Sequence, residues 1–147
     1  GTYYGKVTLA PAIAKMLCDT ISSNLNCRLK KNFIDKRREF YRFREMDRNE
    51  INEVIKLDKR YGKIVCMCNN VSEGEIVDSI RRPLGARTVK GVKRRTGAGF
   101  GNCHGAYCNE KIIQILSREL DRKFTDIVDD SKKSNIISGR IKEFKDI

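Results

Sequence analysis

The chain has 147 residues, 34% of them charged and 39% apolar, with 31 Lys and Arg against 19 Asp and Glu, a formal charge of +12. This composition allows one modest core and excludes a membrane-spanning helix, because the longest apolar stretch, residues 9–17, is short and contains Lys15. The basic excess is typical of proteins that meet nucleic acid, an anionic membrane or an acidic partner; a basic shell around an anionic cofactor would give the same balance. No signal peptide is recognisable, and the start at Gly1 predicts a piece of a longer polypeptide.

The first predicted element is a helix from Thr8 to about Ser23. Thr8 is the expected N-cap, and Pro11 lies in the first turn, where its missing N–H costs nothing. Helical spacing gives this helix an expected inward face of Ala10, Ala14, Leu17 and Ile21.

Residues 28–48 mix many Arg and Lys with the aromatics Phe33, Phe40, Tyr41 and Phe43. Such a stretch could be a nucleic-acid surface. We favour an extended basic arm that docks its aromatic rings and leaves its charges in solvent.

Two further helices carry strong N-terminal signals. Residues 47–57 begin with a capping-box pair, Asp47 and Glu50. Residues 71–82 begin with another, Ser72 and Glu75, and Pro83 ends that helix.

The remaining elements lie towards the C-terminus. A short helix capped by Thr88 runs to about Arg95 and leads into a flexible glycine-rich loop at 96–101. The last clear helix spans residues 109–120, with Ile112, Ile113, Leu116 and Leu120 facing inward. A polar tail follows it.

Four of the six cysteines form a pattern of Cys-x-Cys, thirty-four residues, then Cys-x-x-x-x-Cys. In a chain without an export signal, clustered thiols are more often metal ligands than disulfides. The four are Cys66, Cys68, Cys103 and Cys108, and each pair is expected in a loop just before a helix, where unpaired N–H groups favour an anionic centre. Lys93, Arg94 and Arg95 could add compensating charge.

The cysteine spacing alone leaves two kinds of metal centre open. Structural zinc sites typically use a Cys-x(2–4)-Cys knuckle, so the one-residue gap favours an iron–sulfur cluster, with zinc as the alternative.

His104, the one histidine, could replace a cysteine as ligand, but an all-cysteine site is simpler, and we expect His104 beside the site or at the surface. Cys18 and Cys27 are expected to be ordinary semi-buried thiols.

Residues 64–76 and 88–108 resemble the bacterioferritin-associated-ferredoxin-like (BFD-like) [2Fe–2S]-binding domain, in the variant fused to FAD-dependent dehydrogenases of the anaerobic glycerol-3-phosphate dehydrogenase type. The resemblance covers about residues 61–121. It implies a small all-α fold of helix–turn–helix pairs around a cluster, with Cys66, Cys68, Cys103 and Cys108 in the ligand positions.

The flanks resemble the same enzymes. Residues 8–14 are similar to the closing helix of the flavin domain, which makes Thr8 a candidate helix cap on the flavin side. The resemblance implies four segments: the end of a truncated flavin domain (1–27), a basic arm and linker helix (28–60), the cluster domain (61–121) and a polar tail (122–147).

These resemblances imply an electron-transfer domain of a flavin-dependent oxidoreductase, passing electrons from reduced FAD to a downstream acceptor subunit. The chain itself contains no complete active site. The flavin domain of the parent chain is the expected partner, nucleic acid is not favoured, and the expected location is cytoplasmic or peripheral at the inner face of the membrane through partner subunits. The alternatives are a zinc-stabilised nucleic-acid or protein-binding module and a structural or redox-sensing cluster, and zinc could substitute for iron in recombinant protein.

Overall fold

The computed structural model describes residues 5–28, 30–33, 36 and 38–139. Its contacts divide the chain into two units, one ending at Arg38 and the other starting at Glu39. The described residues contain five α-helices and one two-stranded antiparallel sheet. The fold is therefore mostly helical, and the prediction of a purely all-α fold is wrong because of this β-hairpin.

Helix α1 (Lys6–Asn24) is the helix of the first unit. It begins two residues before the predicted start, with Gly5 in the left-handed conformation at its N-cap, so Thr8 lies in the first turn and does not cap the helix. The expected inward face is not buried either: Leu17 is 57% and Ile21 52% exposed. No second helix or strand is described in this unit that could cover α1. For the same reason Cys18 and Cys27 are exposed, contrary to the prediction of semi-buried thiols.

Helix α2 (Arg48–Leu57) is the first α-helix of the second unit, and its predicted capping box is confirmed. Asp47 Oδ1 accepts from the N–H of Glu50 at 2.9 Å, and Glu50 Oε2 accepts from the N–H of Asp47 at 2.9 Å. Both bonds satisfy donors that the first helical turn would otherwise leave unpaired. The buried side of α2 is centred on Val54, which belongs to a small cluster with Phe43 and Tyr61.

The aromatic residues of the basic arm dock in part, as predicted. Phe43 is 4% exposed, and its ring centroid lies 5.9 Å from that of Tyr61. The guanidinium of Arg82 stacks on the Phe40 ring, 3.4 Å from its centroid. Phe33 is 72% exposed. The section from Glu39 onward therefore packs with the helices that follow it, as part of the second unit.

The β-hairpin pairs β1 (Ile64–Cys66) with β2 (Val71–Ser72), with Cys66 opposite Val71. Cys66 thus ends a strand, where the sequence predicted a loop. Helix α3 (Glu73–Arg81) follows directly and carries the second predicted capping box. Its bonds run between Ser72 and Glu75, whose Oε2 accepts from the Ser72 N–H at 2.7 Å.

Helices α4 (Val89–Thr96) and α5 (Asn109–Leu120) complete the main core with α3. Thr88 caps α4 as predicted, accepting from the N–H of Gly91 at 3.0 Å. The bounds of α5 match the prediction, and Ile112, Ile113 and Leu116 are buried.

The segment after α5 contributes to this core, although the sequence predicted a polar tail. Ile127 is 1% exposed. The carbonyls of Val128 and Asp129 accept from the N–H groups of Val89 and Lys90 at 3.1 and 2.8 Å, at the start of α4. Residues 140–147 of the predicted tail lie outside the described residues. Over the described part of the chain, no helix combines the length and apolar character needed to cross a membrane.

Candidate metal centre

Two segments of the second unit meet at the cysteines: the turn of the β-hairpin and the loop between α4 and α5. The Sγ atoms of Cys68 and Cys103 lie 3.5 Å apart. Asn69 Nδ2 donates to the carbonyl of Gly97 at 2.6 Å and so ties the hairpin to the loop. Gly101 lies directly against Cys68, since a Cβ at position 101 would be 3.1 Å from the Cys68 Sγ and closer still to its Cβ. Protein contacts therefore bring the two segments together.

The four thiols form an inner and an outer pair. The inner pair, Cys66 and Cys108, is buried, each residue being 1% exposed, and Cys66 is close enough to raise the pKa of Cys108. The outer pair consists of Cys68, which is exposed, and Cys103, which is half-buried. All four predicted residues are thus brought together. Among the described residues, no three or more His, Cys, Asp or Glu side chains surround one point as the ligands of a single metal ion would.

Electrostatics differ between the two pairs. The backbone N–H of Gly105, the Cys68 thiol and the backbone N–H of Tyr107 hydrogen-bond to the Cys103 sulfur and hold the pKa of Cys103 below its ordinary value. Burial and the neighbouring Cys66 raise the pKa of Cys108 to about 11. Cys103 is therefore poised towards thiolate, while a metal at the inner pair would have to displace a proton from Cys108.

One of the three predicted compensating cations acts on the thiols. The charge of Lys93 opposes the rise in the pKa of Cys108, and the Lys93 stem lies over Gly99, where a Cβ would be 3.1 Å from its Cδ. Arg94 pairs instead with Asp130 at 3.5 Å, and Arg95 donates to a loop carbonyl. Lys93 is thus the residue of this group that favours negative charge at the site.

The predicted placement of each pair before a helix is confirmed. Cys108 is the N-cap residue of α5, and its carbonyl accepts from the N–H of Ile112 at 2.9 Å. Cys68 precedes the Ser72 cap of α3 by four residues. Each pair therefore precedes a helix start, whose partial positive charge favours a nearby anionic centre.

His104 and Asn109 also lie in the second cysteine segment. His104 is exposed, with a positive φ of 49°, which agrees with the expectation of a surface position. Asn109 Oδ1 is buried and has no hydrogen-bond partner among the described residues. Sequence reasoning missed Asn69 and Asn109, because no short-range pattern distinguishes them; the glycine-rich run was the one available signal for Gly101.

The residues fit a [2Fe–2S] cluster. Four cysteine thiolates are the usual ligand set of such clusters. Two thiolates on one tetrahedral metal with metal–sulfur bonds of about 2.3 Å lie roughly 3.8 Å apart, and the outer pair at 3.5 Å is close to that spacing. The inner thiols are also neighbours, since Cys66 raises the pKa of Cys108. With one metal ion held by the inner pair and one by the outer pair, the four thiols suit a centre of two metal ions.

Comparison with known proteins agrees with the resemblance seen in the sequence. Residues 64–118 match the family model of the BFD-like [2Fe-2S] binding domain. The chain is 45% identical over 135 residues to a glycerol 3-phosphate dehydrogenase of Caloramator mitchellensis. The aligned region covers 90% of this chain and 28% of that protein. It is also 30% identical over 63 residues to hydrogen cyanide synthase subunit HcnB of Pseudomonas aeruginosa, over 40% of this chain and 13% of that protein.

The chain thus spans less than a third of the length of either relative. No solved structure gives a significant match. Residues 64–118 are thus similar to the BFD-like [2Fe–2S] binding domain, and the chain is similar to part of a dehydrogenase, so the predicted resemblance is confirmed.

Proposed function

We propose that Cys66, Cys68, Cys103 and Cys108 hold a [2Fe–2S] cluster, and that this chain is the electron-transfer part of a flavin-dependent dehydrogenase of the glycerol-3-phosphate type. The observation that carries the proposal is the meeting of two separate cysteine segments as an inner and an outer thiol pair within a BFD-like domain. The related dehydrogenase, of which this chain matches 28%, supports the type of enzyme. An FAD in the rest of the protein is part of the same proposal.

A bound [2Fe–2S] cluster would supply one-electron carriage. We place this domain between an FAD that takes two electrons from a substrate such as glycerol 3-phosphate and a downstream subunit that receives them singly. The flavin domain of the same polypeptide is the proposed donor. A flavin-side position for Thr8 is part of this proposal, with Thr8 as a first-turn residue of α1 and not as its cap.

The protein's own contribution is an asymmetric environment. Cys66 and Cys108 are enclosed by the core and exclude water from one side of the site. Cys68 is exposed, so a partner can approach the outer pair most closely. The backbone N–H groups that donate to the Cys103 sulfur reduce the negative charge that this side presents. Hydrogen bonds to ligand sulfur and solvent exposure both affect the potential of such sites. Because Cys68 is exposed and the inner pair is buried, we propose that electrons leave through the outer pair.

The test begins with anaerobically prepared protein. We expect a reddish-brown sample with about two iron and two sulfide per chain, and an EPR signal after dithionite reduction. Cys68→Ser and Cys108→Ser should each reduce the iron content strongly. The double variant Cys18→Ser/Cys27→Ser is the matched control and should keep it, because both thiols are exposed in the first unit.

A colourless anaerobic sample that contains only zinc would contradict the cluster assignment. The electron-transfer role has its own test in the full-length protein. Substrate-reduced flavin should reduce the cluster within one turnover, as followed by rapid-mixing absorbance. A cluster that forms but stays oxidised on that timescale would be structural or redox-sensing.

A further inference from the structure

Three neighbouring clefts run along the second unit on one side of α3 and α5. Their volumes are about 600, 510 and 440 Å³. The cleft of about 600 Å³ is the central one. It shares Lys63, Glu73 and Arg118 with the cleft of about 510 Å³, and Arg81 and Glu119 with the cleft of about 440 Å³. They therefore form one continuous surface, which we call the basic groove. The charged residues described in its lining are Arg60, Lys63, Arg81, Arg87, Lys111, Arg118 and Arg122, with the carboxylates Glu73 and Glu119.

The centre of the basic groove is held by two buried carboxylates. The side chains of Glu73 and Glu119 are 11% and 6% exposed. Arg118 donates to Glu73 at 2.7 Å and to Glu119 at 3.2 Å, and Arg81 donates to Glu119 at 2.6 Å. Burial disfavours the charged form of Glu119, yet the hydrogen bonds from Arg81 and Arg118 outweigh it and leave its pKa below the ordinary value. The central charges are thus fixed in position and nearly balanced, since Arg60 is also paired, with Asp58 at 2.7 Å.

The two ends of the groove carry the uncompensated positive charge. Lys111 lies at one end, and Arg87 and Arg122 at the other. All three are exposed, and none forms an ion pair with a carboxylate of the described residues. The groove therefore presents positive charge at both ends and paired charges between them.

We propose that the basic groove is a docking surface for an acidic segment of a partner protein. Carboxylates placed at intervals along a polypeptide can meet the cations at both ends while an intervening apolar residue contacts the floor, which includes Ile115 and the half-buried Phe124. Duplex DNA carries one negative charge per about 1.7 Å, so its backbone would bring phosphates over Glu73 and Glu119 as well. This charge pattern favours the acidic protein over duplex DNA, whether or not the cysteines hold a cluster.

The experiment uses the full chain and two labelled probes, a short poly-glutamate peptide and a duplex DNA, with fluorescence anisotropy at low ionic strength, where charge contacts are least screened. We expect the peptide to bind more tightly than the DNA. The variant Lys111→Gln/Arg122→Gln should weaken peptide binding about fivefold, the combined effect of two exposed charge contacts. Neither residue belongs to the buried pairs, so circular dichroism should be unchanged.

The matched control is Lys132→Gln/Lys133→Gln, which removes the same charge from exposed residues of the C-terminal segment, outside the groove. It should leave peptide binding within twofold of the unmodified chain. If both variants weakened peptide binding equally, the binding would depend on net charge alone and the proposal would be overturned. So would a lack of peptide binding, or tighter binding of DNA that depends on Lys111 and Arg122.

Discussion

Replacing Gly101 by alanine tests the geometry of the metal centre most directly. The new Cβ would fall well inside 3.0 Å of the Cys68 Cβ and 3.1 Å from its Sγ. Ordinary contacts begin near 3.4 Å, so the hairpin turn and the loop would have to separate by several tenths of an ångström or more. Overpacking of this kind costs about 1–3 kcal/mol. Because the clash falls on a thiol of the outer pair, we expect Gly101→Ala to assemble far less cluster than the unmodified chain.

The assay is iron and sulfide content, with the visible spectrum, after anaerobic reconstitution, alongside the free energy of unfolding. Gly97→Ala is the control in the same loop. Its Cβ would meet nothing within 4 Å, but its φ of +81° makes alanine strained, at a cost of about 1 kcal/mol. The control should therefore lose stability and keep its iron. A Gly101→Ala protein with full iron content and an unchanged spectrum would refute the reasoning.

Three further predictions concern stability and the hold on the cluster. Asn69→Ala removes the bond to the Gly97 carbonyl, so we expect a loss of about 1 kcal/mol and faster iron release to a chelator; unchanged release would contradict the tether. Glu119→Gln should cost about 1–2 kcal/mol in unfolding free energy at neutral pH. The pKa of Glu119 is lowered in the folded chain, so its ion pairs stabilise the fold fully at pH values above the ordinary pKa of 4.5. This stabilisation disappears as the pH falls through the lower folded pKa. The difference in unfolding free energy between Glu119→Gln and the unmodified chain should therefore narrow in denaturant titrations below pH 4.5. Phe43→Ala, at a site 4% exposed, should cost about 3–4 kcal/mol, whereas Phe33→Ala, at 72% exposed, should change stability by less than about 0.5 kcal/mol.

The sequence predicted best those features whose causes lie within a few residues of chain. The capping boxes at Asp47 and Ser72 each join residues three apart, so the letters alone specify the hydrogen bonds. The bounds of α5 follow from its regular apolar spacing and the cysteine before it. The short strands did not carry enough periodicity to be recognised, and Cys66 was therefore placed in a loop.

Features that depend on distant partners were predicted less well. The apolar spacing of α1 identified residues suited to burial, but it could not indicate whether another element covers them, and Leu17 remains 57% exposed. The cysteine pattern predicted that the four thiols meet. It did not give their division into a buried and an exposed pair, which follows from the packing of the hairpin against the loop, where Asn69 and Gly97 are twenty-eight residues apart.

The contacts of the segment after α5 set a minimum length for any excised version of this domain. The family match ends at residue 118, yet Ile127 fills the core and the Val128 and Asp129 carbonyls cover the first N–H groups of α4. A truncation shortly after Leu120 would leave a hole beside the helix that carries Lys93, as well as unpaired amides at its start. Iron-binding studies on a shortened protein would then report on a damaged scaffold, so a faithful minimal version should start at Glu39 and keep at least the residues up to Ile137, which packs against the same core.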